Sequence, residues 1–508
     1  MNLSRRALLQ SGLALGVGVA VPRALAGSTG PALLTPRPSL RPGGPPRVGP
    51  YRVLAGSLHD HTTDSDGDSS SEAVVRFLHD YREDLGLDYC SVTDHSDVFP
   101  VAYQRAVDAG TAGDPAVVPI PDLWHRQGAL AARYASDEFS LLRGFEWTDD
   151  QQNHLNVLLS QNWTSRAVTG DGWLRMDPFW TWLATDPVAD PTGTGLGFGG
   201  GDGIGIFNHP GDKGALNWDD YALHPGAAER MALIEIHGSY GRTGRLDSDA
   251  GWYWFALARG WHVSPVMNWD WHQWAADGIL TNRTPGSGYD DGKTFLPGQR
   301  SLVLATSSRP GALREALAAR RTTATEIPDL WASLRGPEGV WQGGVVEGSP
   351  GETLQLRVDA GSATEPLRGV QIIGDNGLTG HDHYFGDNPD WSAGHGQLTP
   401  SYLEQHRRYV VNGDATRKRL AGGRRHDGPP AGTVMASAAL SGVRDSVSVS
   451  VTVPTAPSPR PDGRHFLYAV VYAGRHDFPA RAWTGPLLTT PHSDRDGDQS
   501  AGSRQARG

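Results

Sequence analysis

Two histidines one residue apart, His59 and His61, directly follow the apolar run 53–58. If that run is a strand, alternation puts both imidazoles on one face, where two ring nitrogens can grip a single cation. Other polar residues repeat the arrangement. Asp66 lies on the loop leaving the same strand end, His95 follows Val92-Thr93-Asp94, Glu146 ends Gly144-Phe145-Glu146, and His154 opens the next run. His209 terminates Ile206-Phe207-Asn208-His209, and Asp270 and His272 stand two apart after the apolar run 262–268. One such histidine alone is ordinarily a hydrogen-bonded core or surface residue. Nine residues obeying one positional rule point instead to a metal centre fed from successive strand tips. Mixed imidazole and carboxylate ligation suits Zn, Mn or Fe without choosing among them. Asp94 reads as a carboxylate standing behind the ligands and orienting one of their imidazoles. Lys213 is a candidate to reach a substrate oxyanion, and Trp269 and Trp271, which flank Asp270, are candidate walls of a substrate pocket.

Elements of two kinds must position these residues. Strand-like runs at 53–58, 89–93, 141–145, 154–159, 204–207, 232–237, 262–268 and 301–305 alternate with helical patterns at 125–135, 252–258 and 311–320. A capping box at Ser69-Ser70-Ser71-Glu72 opens a further helix, whose Val74, Leu78, Tyr81 and Leu85 share one face and which Gly86 stops. Repeated β-then-α order predicts an α/β domain over 51–325 with a parallel sheet closed into a barrel, its active-site mouth at the strand C-termini. Beyond 326, runs at 352–358, 369–373, 446–453 and 465–472 lie between turn residues with little helical signal. They predict a small all-β, sandwich-like domain over 326–490, with a polar insertion at about 380–432. The polar stretch 491–508 is predicted to be a disordered tail.

At 508 residues the chain exceeds one ordinary domain, and 38% hydrophobic with 20% charged residues fits a soluble folded protein. A net charge of −11 argues against a nucleic-acid polymer as partner, which would call for a basic surface. An anionic small molecule stays open, because bound metal ions reverse the local field. The single cysteine, Cys90, excludes an intrachain disulfide and a Cys-based zinc site, and reads as a small buried apolar residue. Near the start, Ser4-Arg5-Arg6-Ala7-Leu8-Leu9, the apolar stretch 13–21 and Ala24-Leu25-Ala26 form the pattern of a twin-arginine signal peptide over 1–26. The apolar stretch falls short of the ~20 residues a membrane span needs. Residues 27–50, rich in Pro and Gly, read as a linker. The expectation is an exported protein, periplasmic or extracellular, handled by the twin-arginine machinery and without a stable membrane span.

In order and spacing, Leu58-His59-Asp60-His61-Thr62, Ser65-Asp66-Gly67, Val92-Thr93-Asp94-His95, Gly144-Phe145-Glu146, Asn208-His209-Pro210 and Asp270-Trp271-His272 resemble the motifs of the PHP (polymerase and histidinol phosphatase) family, across about 51–275. The resemblance implies a distorted (β/α)7 barrel with two or three divalent metal ions at the strand C-termini. It implies that His59, His61, Glu146 and Asp270 hold one ion and that Glu146 bridges to a second, held also by His154 and His209. Asp66, His95 and His272 would hold a third. Many relatives carry a His near the position of Asp66, so this chain departs from the pattern there. Arg300-Ser301-Leu302-Val303-Leu304-Ala305 and Arg320-Arg321-Thr322-Thr323-Ala324-Thr325 are similar to the exported CehA/McbA-like branch. In that branch a β-rich C-terminal module follows, and Ala482-Trp483-Thr484-Gly485-Pro486 looks like its closing strand.

The implied activity is hydrolysis by a metal-bound hydroxide, with neighbouring ions clamping the attacking and leaving oxygens. Three divalent ions, three ligand carboxylates and one hydroxide leave roughly +2, a field favouring a phosphomonoester or phosphodiester over a neutral ester. One alternative keeps the metals but takes a carbamate or carboxylic ester in an aromatic-lined pocket. Another is a non-catalytic exported binding module.

Overall fold

Up to residue 325 most strands form where runs are buried along their length, and helices lie in several of the connections between them. The computed structural model describes residues 44–97, 120–149, 152–166, 176–190, 196–210, 218, 221–236, 246–274, 298–375, 433–458, 460–474 and 479–490. The first strands are β1 (Arg47–Val48), β2 (Tyr51–Ser57), β3 (Tyr89–Val92), β4 (Ser140–Trp147), β5 (Leu155–Leu158), β6 (Ile204–Phe207), β7 (Met231–Glu235), β8 (Ser264–Val266), β9 (Arg300–Ala305) and β10 (Thr322–Thr325). There follow β11 (Trp331–Arg335), β12 (Val345–Val346), β13 (Thr353–Gly361), β14 (Leu367–Gly374), β15 (Thr433–Ala439), β16 (Arg444–Thr452), β17 (Phe466–Ala473), β18 (Ala480–Thr484) and β19 (Leu487–Thr489). The helices are α1 (Ser71–Asp80), α2 (Arg82–Leu85), α3 (Ile120–Arg133), α4 (Asp177–Ala184), α5 (Pro225–Ala228), α6 (Leu246–Ala258) and α7 (Pro310–Ala318).

Local signals work as expected at α1, with one shift. The N-cap is Ser70, whose hydroxyl accepts from Ala73 N at 3.3 Å, while the Ser69 hydroxyl turns to Asp68. Glu72 pairs with Arg133 of α3 instead of reaching back to close a capping box. Gly86 ends α2 in the left-handed conformation, φ 63°, which a glycine adopts without a Cβ penalty.

The sheet is mixed. β2, β3 and β4 run parallel, as do β6, β7 and β8, but β5 pairs antiparallel with both β4 and β6. The expectation of an all-parallel sheet fails here because the connection from Trp147 to Leu155 is too short for a crossover and can only fold back. On the other side, β2, β9, β10, β18 and β17 pair antiparallel in turn. Beyond the tips of β8 and β2 the backbone meets again. His61 N donates to Trp271 O at 3.0 Å, Asp270 N donates to His59 O at 2.8 Å, and Asp60 bridges Trp271 in parallel fashion. The ends of the run β2 to β8 are thereby drawn together. Among the described residues, however, the ladder does not close strand to strand as a regular (β/α)7 barrel.

Antiparallel strands dominate the C-terminal part. A three-stranded sheet, β11-β13-β16, faces β14 and β17 across a core containing Leu334, Leu356, Val358, Ile372, Val449 and Val471. That is the sandwich-like packing expected, yet β10 pairs with β18, so one continuous sheet crosses the expected boundary at 325/326. Strand pairing also begins at Arg47, inside the stretch read as linker. Cys90 is buried among Val74, Leu78 and Val92. The signal-peptide segment, most of the linker, the 380–432 insertion and the tail lie outside the described residues. No helix among those described is long and apolar enough to cross a membrane.

Candidate metal centre

All nine side chains singled out by position converge beyond the tips of β2 to β8. Four overlapping sets have ligand atoms within 4.8 Å of one another: His59, His61 and Asp270; His59, Glu146 and His209; His95, Glu146 and His154; and His61, Asp66, His95 and His272. Glu146 is the hub. Its carboxylate lies 3.1 Å from His59 Nε2, 3.6 Å from His61 Nε2, 2.6 Å from His95 Nδ1, 3.1 Å from His154 Nδ1 and 3.4 Å from His209 Nε2. Asp66, 46% exposed, stands at the rim, 3.2 Å from His272 Nε2 and 3.7 Å from His95 Nε2. The rings of His61 and His272 stack at 3.9 Å.

The spacing of the donor atoms tests whether this set fits a cation. His59 Nε2 faces His61 Nε2 at 3.1 Å, and Asp270 Oδ1 lies 3.3 and 3.0 Å from those two nitrogens. Tetrahedral ligation by N and O donors at 2.0–2.2 Å sets neighbouring donors about 3.3–3.6 Å apart, close to this cluster's spacing. Two imidazole nitrogens directed at each other have at most one proton to share, whereas a common cation satisfies both. The residues present fit divalent metal. Two of the candidate ligands, His209 (φ 30°) and Asp270 (φ 52°), also hold left-handed backbone that non-glycine residues seldom adopt, a strain typical of functional sites.

The charges are set by mutual proximity. Burial opposes a proton on His59, but Asp270, Glu146 and Glu235 outweigh it and raise its pKa well above the ordinary histidine value. Burial would likewise keep Glu146 neutral, yet His154, His95 and His59 hold it well below the usual carboxylate range. His61 is pushed well down, by burial and by His95 and His272. At the rim, burial is outweighed for Asp66 by the hydrogen bond from His272 and by His95 and His61, and its pKa falls.

A layer behind the cluster holds it in place, and sequence reasoning missed most of it. Glu235, at the end of β7, accepts from His59 Nδ1 at 2.9 Å, from Asn268 Nδ2 at 2.7 Å and from His209 N at 2.7 Å. Asn208 donates to Glu146 at 2.8 Å. The available signal was a carboxylate inside an otherwise apolar run, Leu233-Ile234-Glu235-Ile236. Asp94 does stand behind the ligands, but not against an imidazole as expected. It accepts from Thr62 N at 2.7 Å, Thr62 Oγ1 at 2.8 Å and Ser65 Oγ at 2.7 Å, fastening the loop that carries His61 and Asp66. Burial and Asp64 push its pKa up to about 7.

The expected substrate residues fare differently. Trp269 is fully enclosed, its indole donating to Gln299 O and stacked under Arg300, so it is a packing residue and not a pocket wall. Trp271 is partly exposed. Lys213 lies outside the described residues.

No family model matches the chain, and no curated protein does. Several solved structures are similar to it, and two serve as examples. One is a two-domain protein containing a predicted PHP-like metal-dependent phosphoesterase from Bacteroides vulgatus, 16% identical, covering 66% of this chain and 83% of that one at a TM-score of 0.37. The other is PsfC from Pseudomonas syringae, 12% identical, covering 52% of this chain and 87% of that one at a TM-score of 0.28. At such TM-scores neither likeness carries an argument about this chain.

Proposed function

We propose that the protein is a divalent-metal-dependent phosphoesterase of PHP type acting on a small phosphomonoester or phosphodiester. The observation that carries this reading is a buried carboxylate, Glu146, within 3.6 Å of five histidines. Packing alone has no use for such a group, and a bridge between two cations has. Divalent ions bound there would supply Lewis acidity and bring the pKa of a water toward about 7. In this reading His59, His61, Glu146 and Asp270 hold one ion, Glu146, His154 and His209 a second, and Asp66, His95 and His272 a third. Glu235 fixes the tautomer and direction of His59, and Asp94 fixes the loop of His61 and Asp66. Glu235 also adds a fourth carboxylate, which lowers the charge balance from about +2 to roughly +1, still a field suited to an anion. The motif order further supports a distorted seven-unit barrel with a sandwich-like module after it. The N-terminal pattern supports twin-arginine export and a periplasmic or extracellular place of action.

The test is metal analysis followed by side-by-side turnover of an aryl phosphodiester, an aryl phosphomonoester and an aryl carbamate. Bound divalent metal with faster phosphoester turnover is expected. Faster carbamate turnover would replace the substrate class, and a protein that binds no divalent metal would end both readings.

A further inference from the structure

Away from the candidate metal centre, the outer face of the β11-β13-β16 sheet gathers arginines in an unusual register. Arg335 stands directly opposite Arg357, Trp331 opposite Gly361, and Gly361 in turn opposite Arg444. Like charges directly opposed on a sheet face are destabilising. Asp359 relieves part of this, lying 3.1 Å from Arg335 Nη2 and 3.2 Å from Arg357 Nε. Segment β1 covers the same face, with Arg444 Nη2 donating to Arg47 O at 3.2 Å. Between them lies a cleft of about 490 Å³ lined by Arg47, Arg335, Arg357, Arg444, Trp331 and Asp359, among others.

The charge of the cleft is not balanced. Its other carboxylate, Asp445, is turned into its own turn, accepting from Ser441 N at 2.9 Å and Ser446 N at 2.8 Å. Among the described residues no carboxylate pairs with Arg47 or Arg444. Four arginines therefore line the cleft beside two aspartates, on a chain whose net charge is −11. Stacking holds two of the arginines: Arg444 lies 5.4 Å over Trp331 and Arg335 lies 4.8 Å over Trp341. Gly49, with φ +56°, makes room for that indole, since a Cβ there would come within 2.8 Å of it. Stacking on an indole leaves the in-plane N–H groups of a guanidinium to form hydrogen bonds, of which those to Asp359 and to Arg47 O use only a part.

We propose that this cleft binds an anionic oxyanion ester, a sulfate or phosphate group carried on a sugar-sized body. The anion supplies the missing negative charge. A volume of 490 Å³ exceeds what a bare oxyanion fills and lies within the range of small-molecule sites.

The test is calorimetric titration of the full-length, metal-loaded protein at low ionic strength with glucose 6-sulfate and with inorganic sulfate. Binding of one glucose 6-sulfate per chain is expected, weakened at least about tenfold in Arg357→Ala/Arg444→Ala, with phosphoester turnover unchanged. His59→Ala should leave that binding intact. Undiminished affinity in the double variant, or its loss in His59→Ala, would overturn the assignment, as would inorganic sulfate binding as tightly as the ester. If the double variant melts early, the exposed single change Arg444→Ala is read instead, with a severalfold loss expected and an unchanged affinity decisive against the cleft.

Discussion

Replacing Glu235 by Gln alters one atom in a group that touches no solvent-facing part of the cluster. Three donors meet its two oxygens: His59 Nδ1 and Asn268 Nδ2 at Oε1, and His209 N at Oε2. An amide offers a single oxygen. If that oxygen stays toward His59 and Asn268, the new NH2 confronts the His209 N–H, donor against donor. If it turns the other way, His59 and Asn268 lose their acceptor. Either arrangement leaves at least one buried donor unmet, at about 1–3 kcal/mol. More specifically, the carboxylate fixes the proton of His59 on Nδ1 and leaves Nε2 free to ligate. Loss of such a partner ordinarily lowers metal affinity about 10- to 100-fold, or about 1.4–2.7 kcal/mol. Chelator-competition titration of Glu235→Gln against the parent protein measures this directly, with thermal melting of both metal-free forms as control. Affinity within about twofold of the parent, in a variant that melts normally, would refute the role assigned to Glu235.

Three further outcomes are expected. His59→Ala and Asp270→Ala should each lower the metal content of the purified protein by about one ion per chain by elemental analysis; unchanged content would remove them from the ligand set. His262 has its pKa held well below the ordinary histidine value by burial and by Arg320, Arg460 and Arg464. It stays neutral in the fold but takes up a proton in the unfolded chain below about pH 6.5, so its contribution is full above that pH and lost as pH falls toward its folded value. The fall in melting temperature between pH 7 and pH 5.5 should therefore be shallower in His262→Gln, and an identical fall would contradict this. Gly56→Ala would place a Cβ 2.3 Å from the Tyr89 carbonyl oxygen, where β2 pairs with β3. A loss of about 1–3 kcal/mol is expected from the urea midpoint, and an unmoved midpoint would show that the strands can part there.

Much of the candidate site was legible because its chemistry obeys a local rule. A candidate ligand at the tip of an apolar run, as at His59, Glu146 or His209, announces itself by the abrupt end of the run. Gly86 was legible for a similar reason, since left-handed backbone at a helix end selects for glycine. Where two local answers were nearly equal, as between Ser69 and Ser70 for the cap of α1, the pattern of neighbours could not choose.

Other features depend on what lies opposite in space. Glu235 sits inside an apolar run with no partner nearby in the chain, and its meaning comes from His59, 176 residues away. Asp94 invited a role toward the adjacent His95, yet the fold lays the 62–65 loop over it and gives its oxygens to Thr62 and Ser65. Trp269 and Trp271 look equivalent beside Asp270, but only the tertiary packing encloses one and leaves the other partly exposed. Strand direction at β5, the continuous sheet across residue 325 and the cleft joining Arg47 to Arg444 all follow from pairing between distant segments. Residue type and periodicity determined which residues could bind a cation and which runs would be strands. The tertiary structure decided which of them face one another, because hydrogen-bond register, burial and charge are properties of neighbours in space, not of neighbours along the chain.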